Sequence, residues 1–288
     1  MIEPALNPES GFRRLRIDLA YDGTNFAGWA KQPDQRTLQG SIEAVLTRML
    51  RVPVNTVVAG RTDAGVHATG QVIHVDLPKI LEASRYRPDE ELWEFEHFKF
   101  RFNQMLDAEI RILEVSAAPA NFDARFSASA RHYKYKLLDG NQDLPPLQRF
   151  DAATWFRPLN IELMNLASTA LLGKHDFFTF CRYREGGTSM RNLLKFNWSR
   201  DPQGFVICEI AADGFGWNMV RNLVGAAVCV GEGRFPPAWM NEILIQTTRV
   251  SDSYVFPARG LTLVRVDYPD RAELEEIVLG TFSREPSF

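Results

Sequence analysis

The sequence predicts an α+β fold made of two similar halves, and three observations support this. Alternation of apolar and polar residues, which is typical of strands with one buried face, occurs in both halves, as at 14–21 and 130–139. Segments with helical apolar spacing stand between the alternating ones, as at 37–50 and 160–172. With 288 residues, the chain is long enough for two domains of moderate size.

The first half predicts the order β-α-β-β-α-β. We expect a strand at 14–21, a helix at 37–50 capped by Thr37, strands at 54–59 and 71–76, a helix or irregular segment at 98–106, and a strand within 108–117. Strands and helices in this order favour an α+β layer with an antiparallel sheet.

The second half has a similar pattern without repeating the letters. We expect a strand at 130–139, a helix at 160–172, a hairpin of strands at 192–198 and 204–212, an apolar helix at 218–231, a short helix at 237–246 and a strand at 261–266. Residues 116–121 have linker composition, so we predict an N-terminal domain at 1–118 and a C-terminal domain at 119–288. The cleft between two such domains is the natural place for a site.

The charge of the chain does not by itself indicate a nucleic-acid partner. The formal net charge is −3, from 33 basic and 36 acidic residues. The charges are segregated, however, because acidic residues concentrate at 88–96 and 273–276 and basic residues at 13–16, 125–136 and 182–200. A local basic surface is therefore compatible with the net charge.

The cysteine and histidine residues give no metal or disulfide pattern. The three cysteines are widely spaced and odd in number, so we expect a reducing, cytoplasmic location. His67 and His74 lack a third ligand at suitable spacing, and we expect no metal site. No apolar stretch is long enough to span a bilayer.

The segment from Gly60 to Gly65 combines a cation, Arg61, and an anion, Asp63, between two glycines. The glycines permit an unusual backbone and the close approach of a ligand. A carboxylate in such a turn can face a cleft from a rigid scaffold. Residue chemistry alone nevertheless favours an ordinary turn in which Asp63 caps the local backbone.

Arg131, Tyr133 and Tyr135 share one face of a predicted strand. An aromatic ring beside a cation suits a stacked base and its phosphate, whereas a partly buried aromatic stripe explains the pattern equally well. Both interpretations stay open from the residues alone.

Arg221 lies within a very apolar predicted helix, where a guanidinium needs an anionic partner. Asp63 is one candidate partner, and a structural carboxylate elsewhere is the alternative. Arg182, Arg184 and Arg191 form either a solvated basic loop or a phosphate-binding segment.

Seven segments, in order, closely resemble the TruA family of tRNA pseudouridine synthases. Among them, the run Arg61-Thr-Asp-Ala-Gly-Val-His67 is highly specific on its own. The segments are 21–29 with Gln32 and 37–39, then 60–68, 122–128, 131–135, 175–180, 219–222 and 260–263.

The resemblance implies an isomerase that converts uridine to pseudouridine at positions 38, 39 and 40 of the tRNA anticodon stem-loop. It makes Asp63 the essential carboxylate, with Arg221 as its ion-pair partner. Arg61 would fill the space of the flipped nucleotide, and Tyr133 would stack on the target base. The family has two α+β halves about a merged antiparallel sheet with helices on one face, and it acts as a homodimer.

We expect Arg131, Arg191 and His67 to complete the RNA-binding surface through contacts that do not read the base sequence. Four departures from the family pattern stand beside these residues. The first is Ala30 and Lys31 after Gly28-Trp29, where the family usually has Gln after Trp. The others are Asp123 where His is common, Gly216 where Leu is usual, and an acidic, aromatic insertion at 81–98.

The implied reaction breaks a glycosidic C–N bond and forms a C–C bond without oxidation or group donation, so we expect no cofactor. An ionised aspartate can act as nucleophile or base, and a neighbouring arginine lowers its pKa. We therefore expect Asp63 to be ionised and held by Arg221. The first step, at C1′, at C6 or at the 2′ proton, stays open.

The sequence leaves three alternative functions open beside tRNA pseudouridine synthesis at positions 38, 39 and 40. They are the same reaction on another RNA or tRNA position, an inactive RNA-binding relative, and a nucleosidase or hydrolase. The last class usually needs a second carboxylate. Asp22 is the only obvious candidate for it, and its sequence context is that of a turn.

Overall fold

A computed structural model of the chain describes residues 12–78, 91–119, 121–182, 188–246 and 255–270. These residues contain ten strands, five α-helices and three short 3-10 helices, so the predicted α+β class is confirmed. None of the helices in the described ranges combines the length and the apolar composition that crossing a membrane requires. Residues 81–90 of the insertion at 81–98 lie outside the described residues, and residues 91–98 belong to a helix.

The strands and helices take the following bounds. The strands are β1 Phe12–Tyr21, β2 Thr56–Val58, β3 His67–Pro78, β4 Ile110–Ala117, β5 Ala130–Leu138, β6 Ala153–Thr154, β7 Gly173–Asp176, β8 Met190–Arg200, β9 Val206–Ala212 and β10 Leu261–Asp267. The helices are α1 Leu38–Leu50, α2 Glu91–Met105, α3 Ile161–Thr169, α4 Met219–Gly231 and α5 Ala238–Leu244.

The chain divides into two compact units. The first comprises Met1–Arg61, Ala68–Ser129 and Val266–Phe288, and the second comprises Thr62–His67 and Ala130–Arg265. A hexapeptide from the first half of the sequence, Thr62–His67, therefore belongs to the second unit. The domain limits of 1–118 and 119–288, and a cleft between the domains, stay predictions.

In the first unit, β1 pairs antiparallel with both β3 and β4, and β2 pairs antiparallel with β3. Helix α1 begins after Thr37, whose hydroxyl accepts the Gly40 N–H at 3.3 Å, so the predicted cap is confirmed. Helix α2 packs on β4 and α1. Burial of the apolar faces of these elements forms a continuous core that includes Ile17, Leu19, Ile42, Ile73 and Phe102.

In the second unit, β5, β9, β8 and β7 pair antiparallel in that order, and the predicted hairpin of β8 and β9 is confirmed. The short strand β6 lies parallel to β5. Helix α3 packs on β8 and on α4, whose residues from Leu223 to Gly231 are all buried. The sequence pattern missed β6 and β7 because strands of two and four residues are too short to show a period.

Candidate active site

The Asp63 segment forms a tight turn within the second unit. The Val66 N–H donates to the Asp63 carbonyl at 3.1 Å. Gly65 has a φ of +75°, and a Cβ on it would lie 3.3 Å from the Ala258 methyl carbon. Glycine is therefore required at position 65 by the backbone conformation and by close packing.

The Asp63 carboxylate faces Arg221 in the first turn of α4. Its Oδ2 lies 3.9 Å from Nη1 of Arg221. The Asp63 side chain is 32% exposed. Because the turn is closed by the backbone carbonyl while the carboxylate faces Arg221, the turn-capping interpretation of Asp63 does not describe this geometry.

Arg221 is anchored by groups other than Asp63. Its Nε donates to the Phe256 carbonyl at 2.6 Å, and its Nη1 donates to Oδ1 of Asn218 at 3.2 Å. Asn218 has a φ of +60°, a left-handed conformation that asparagine tolerates better than most residues. The guanidinium is thus fixed at two atoms and reaches Asp63 at the outer limit of an ion pair.

The pKa of Asp63 is raised above its ordinary value, which corrects the expectation that Arg221 would bring it down. Burial is the largest cause and raises the pKa, whereas the Arg221 charge and the Trp217 hydrogen bond lower it. At 3.9 Å the arginine makes no short hydrogen bond, so its attraction does not outweigh the loss of hydration.

Tyr133 and Tyr135 on β5 have different surroundings. Tyr135 is fully buried, donates its hydroxyl to the Pro257 carbonyl at 2.7 Å, and has its pKa raised by that burial. Tyr133 is 8% exposed and meets the Phe215 ring edge-on at 5.2 Å between centroids. The stripe interpretation is therefore right for Tyr135, while a stacking role for Tyr133 stays a prediction.

The loop after β9, residues 213–218, gathers basic side chains of the second unit. Arg131 donates to the Asp213 carbonyl at 2.7 Å, and the guanidinium of Arg182 lies 4.2 Å from the Trp217 ring centroid. The Arg191 side chain lies 3.5 Å from the position of a Cβ on Gly214. Arg61 is exposed, and Arg184 lies outside the described residues.

The two histidines near the motif are buried within the structure. A ring nitrogen of His67 contacts the Phe150 carbonyl at 2.8 Å, while Nδ1 of His74 accepts the Ala124 N–H at 2.9 Å. Burial lowers the pKa of His74 to about 4, so that ring is neutral at physiological pH. Both contacts support a packing role, and the substrate contact expected of His67 stays a prediction.

The structure also bears on two other kinds of site, a metal site and a second catalytic carboxylate at Asp22. Within these ranges, no group of three or more histidine, cysteine, aspartate and glutamate side chains is arranged to hold a metal ion. Asp22 accepts hydrogen bonds from the Thr24 N–H at 3.0 Å and the Thr24 hydroxyl at 2.5 Å. Its predicted role as a turn residue is confirmed.

Three departures from the family pattern have a structural explanation. Gly216 leaves space for the buried Cys181 side chain, because a Cβ on Gly216 would lie 3.1 Å from the Cys181 Cβ and closer still to its sulfur. Asp123 caps the next turn by accepting the N–H groups of residues 125 and 126 at 2.7 and 2.8 Å. Lys31 forms an ion pair with the buried Glu43.

The sequence prediction did not include Trp217, which lies in the loop before α4. Its indole is 47% exposed, and the Arg182 guanidinium lies over its ring. A large aromatic residue just before the apolar helix that carries Arg221 was the available signal. The contact itself could not be predicted, because it joins residues 35 positions apart in the sequence.

Comparison with known proteins identifies the family of this chain. A family model described as "tRNA pseudouridine synthase" matches residues 19–127 and 167–269, which include Asp63, Trp217 and Arg221. The chain belongs to the tRNA pseudouridine synthase family. Members of this family are isomerases, so the turn that carries Asp63 belongs to an enzyme.

Curated relatives of this tRNA pseudouridine synthase family member match over almost the whole chain. A protein of Frankia casuarinae named "tRNA pseudouridine synthase A" is 49% identical over 265 residues, covering 92% of each chain. One of the same name from Mycobacterium leprae is 45% identical over 278 residues, covering 96% of each. A solved structure titled "Crystal Structure of a Cbf5-Nop10-Gar1 Complex" aligns with a TM-score of 0.30 at 11% identity, covering 75% of this chain and 54% of that one.

Proposed function

We propose that the protein isomerises uridine to pseudouridine at positions 38, 39 and 40 of the tRNA anticodon stem-loop. The observation that carries the proposal is the Asp63 carboxylate, which is half-buried in a tight turn and faces Arg221. The family of the chain and the names of its relatives support tRNA as the substrate. The three positions rest on the resemblance of the sequence motifs.

The chemistry of the reaction explains why one carboxylate is enough. The bond between N1 of uracil and C1′ of ribose breaks, the base turns, and C5 forms a new bond to C1′. The hydrogen on C5 is then lost and N1 gains one, so the product is an isomer of the substrate. Asp63 supplies an electron pair as nucleophile or base, for which it must be ionised.

The donors around Asp63 support that ionised form. Burial disfavours the carboxylate anion, whereas the Arg221 charge and the Trp217 hydrogen bond favour it. Because Arg221 is anchored to Phe256 and Asn218, its charge stays in place without closing over the carboxylate. An oxygen of Asp63 is thus left open to a nucleotide.

The target base must leave its stack before it can reach Asp63. Flipping costs a few kcal/mol, which contact with an aromatic ring such as that of Tyr133 offsets. Arg61 is exposed next to the catalytic turn in the sequence, as a side chain that fills the vacated space should be. Arg131 and Arg191 contact phosphates in this proposal and set the register of the RNA.

We infer from the same resemblance that the enzyme works as a homodimer in the cytoplasm. All three cysteines fall in the described residues, and all three are buried as thiols. Thiols of this kind are typical of proteins from a reducing compartment. Sedimentation of the active enzyme tests the dimer, which full activity of a monomer would contradict.

The substrate assignment is tested with unmodified tRNA transcripts that carry uridine at 38, 39 or 40. Pseudouridine is mapped by carbodiimide modification and primer extension, with single U→C transcripts as matched controls. We expect stops at the three positions that vanish in the corresponding U→C transcript. Product only at other positions would support the alternative substrate, and tight binding without any product would support an inactive relative.

A further inference from the structure

Tyr135 in β5 is fully buried and holds the backbone of a segment that lies far from it in the sequence. Its hydroxyl donates to the Pro257 carbonyl at 2.7 Å. Burial raises the pKa of Tyr135, so the hydroxyl keeps its proton at physiological pH and stays a donor. The Tyr135 ring also meets the Phe256 ring edge-on at 6.0 Å between centroids. One side chain of β5 therefore holds two consecutive residues of the segment before β10.

This segment, residues 256–260, also passes close to the Tyr135 ring at its other end, where Ala258–Gly260 form a short 3-10 helix. A Cβ on Gly260 would lie 2.6 Å from Cζ of Tyr135 and 2.8 Å from the Lys136 carbonyl oxygen, which is too close for any side chain. Glycine is therefore required for the close approach, and Tyr135 supports the segment along its whole length.

The same segment contacts both members of the Asp63–Arg221 pair. The Phe256 carbonyl accepts from Nε of Arg221 at 2.6 Å, and the Phe256 N–H donates to the Arg221 carbonyl at 3.3 Å. The Ala258 methyl carbon lies 3.3 Å from the place of a Cβ on Gly65, in the turn that carries Asp63. The segment thus joins the helix with the arginine to the turn with the carboxylate.

The separation of Asp63 and Arg221 depends on the groups that hold each partner. Their closest approach of 3.9 Å is longer than a hydrogen bond, so a direct bond between them does not set it. Asn218 holds Nη1 of Arg221 from the start of the same helix, at 3.2 Å. Phe256, by contrast, holds Nε from a residue 35 positions later in the chain. A shift of the Phe256 carbonyl would therefore move the guanidinium relative to Asp63.

We propose that Tyr135 is a positioning residue that sets the place of Arg221 beside Asp63. Its hydroxyl fixes the Pro257 carbonyl and, through the adjoining peptide, the Phe256 carbonyl that orients the guanidinium. Because Tyr135 is buried, it acts on the reaction through Arg221 and not by contact with RNA. This inference rests on the proposed function for its catalytic consequence, whereas its effect on Arg221 can be measured without any substrate.

The sharpest test compares two replacements of Tyr135 that differ in the hydrogen-bond donor. Para-aminophenylalanine keeps a donor on the ring, whereas para-fluorophenylalanine keeps nearly the same shape and loses the donor. Tyr135→Phe is the genetically simple counterpart of the fluoro variant. Tyr268→Phe is the matched control, because the Tyr268 hydroxyl donates to the Ala124 carbonyl at the same distance, 2.7 Å, in the first unit.

The Nε–H group of Arg221 reports on the position of the guanidinium directly. Its signal is recorded in nitrogen-15 NMR spectra of arginine-labelled protein and assigned by its absence in Arg221→Met. The hydrogen bond to the Phe256 carbonyl slows exchange of this proton with water. We expect exchange about tenfold faster in the fluoro variant and in Tyr135→Phe, and near the wild-type rate in the amino variant and in Tyr268→Phe.

The catalytic consequence is measured as the single-turnover rate with saturating enzyme. We expect a loss of about tenfold in the fluoro variant and in Tyr135→Phe, because a displaced charge beside Asp63 supports the reaction less well. The amino variant should stay within about threefold of wild type, since it keeps the donor. The dissociation constant for tRNA should change by less than about twofold in every variant, because no phosphate contact is removed.

The control separates positioning from a general loss of stability. Tyr135→Phe and Tyr268→Phe each remove the donor to a backbone carbonyl, so both should unfold at a lower urea concentration than wild type. Unchanged Arg221 exchange in the fluoro variant would overturn the proposal, as would an equal loss of rate per folded molecule in Tyr268→Phe. If wild-type enzyme makes no pseudouridine while the exchange still changes, the proposed function fails and the positioning inference stands.

Discussion

Two aspartate–arginine pairs in the second unit differ in almost every respect. Asp139 is buried, and the Arg200 guanidinium donates hydrogen bonds to both of its carboxylate oxygens, at 2.7 and 2.9 Å. The Leu159 N–H also donates to it, at 2.7 Å. Asp63 is one-third exposed, and its arginine stays 3.9 Å away.

The pKa values of Asp139 and Asp63 are therefore shifted in opposite directions. Burial raises the pKa of each carboxyl. At Asp139 the hydrogen bonds from Arg200 and Leu159 outweigh burial and the pKa is lowered, whereas at Asp63 it is raised. Asp139 is saturated with donors, whereas Asp63 keeps an oxygen open at a cost in stability, as the catalytic role proposed for it requires.

The largest expected effect comes from removing each arginine in turn. Arg221→Met should lower the single-turnover rate about 10²- to 10³-fold, because a preorganised charge beside the reacting carboxylate is lost. Arg200→Met should leave the rate per folded molecule within about twofold of wild type. Equal losses of rate in the two variants would contradict the different roles given to the Asp63–Arg221 and Asp139–Arg200 pairs.

Asp139→Asn should lower the free energy of unfolding by about 2–3 kcal/mol at neutral pH, since Arg200 loses its buried partner. The loss is smaller than for a fully buried pair because the Arg200 side chain is 38% exposed. Urea denaturation checks it. A change below about 0.5 kcal/mol would contradict the structural role of Asp139.

Gly216→Ala sharpens the comparison by disturbing the loop between β9 and α4, the helix that carries Arg221. The new methyl group would collide with the Cys181 side chain. We expect a loss of about 1–3 kcal/mol from overpacking, together with a lower rate. Cys181→Gly in the same background should recover most of both losses, and failure of this rescue would place the cause elsewhere.

The smallest expected effect is the pH dependence of stability at Asp63. Burial raises its pKa in the fold above the ordinary value, so the folded protein binds the proton more tightly and loses stability as pH rises through the raised pKa. Asp63→Asn should therefore gain stability relative to wild type as pH rises from about 4 to 7.

Asp139→Asn provides the control of opposite sign. The lowered pKa of Asp139 contributes stability that is present above the unfolded pKa and lost as pH falls. The deficit of this variant should thus shrink towards low pH. Parallel pH profiles for the two variants would contradict the opposite pKa shifts.

Much of the fold was predictable because its longer elements carry clear periods. The strand at 130–139 and the apolar helix at 218–231 were predicted within a residue or two of β5 and α4. The segment 98–106, for which a helix or an irregular segment was expected, is helical, and the helix already includes Glu91. The acidic and aromatic residues at 91–97 show little apolar spacing. Such a pattern does not indicate at which residue the helix begins.

The site was predictable only in part, for a different reason. Asp63 and Arg221 stood out because a charged residue in a glycine turn or in an apolar helix demands an explanation. Trp217 did not, because its place beside Arg182 depends on the left-handed Asn218 and on the contact of Gly216 with Cys181. Those are tertiary features that no local pattern encodes.

The most direct test of the catalytic role proposed for Asp63 compares Asp63→Asn with Asp139→Asn in single turnover on unmodified tRNA. Binding of tRNA is measured in parallel. We predict no detectable pseudouridine from Asp63→Asn despite tRNA binding within a few-fold of wild type. Asp139→Asn, assayed at a temperature where it is folded, should form pseudouridine at nearly the wild-type rate. Turnover retained by Asp63→Asn would contradict the central role of its carboxylate.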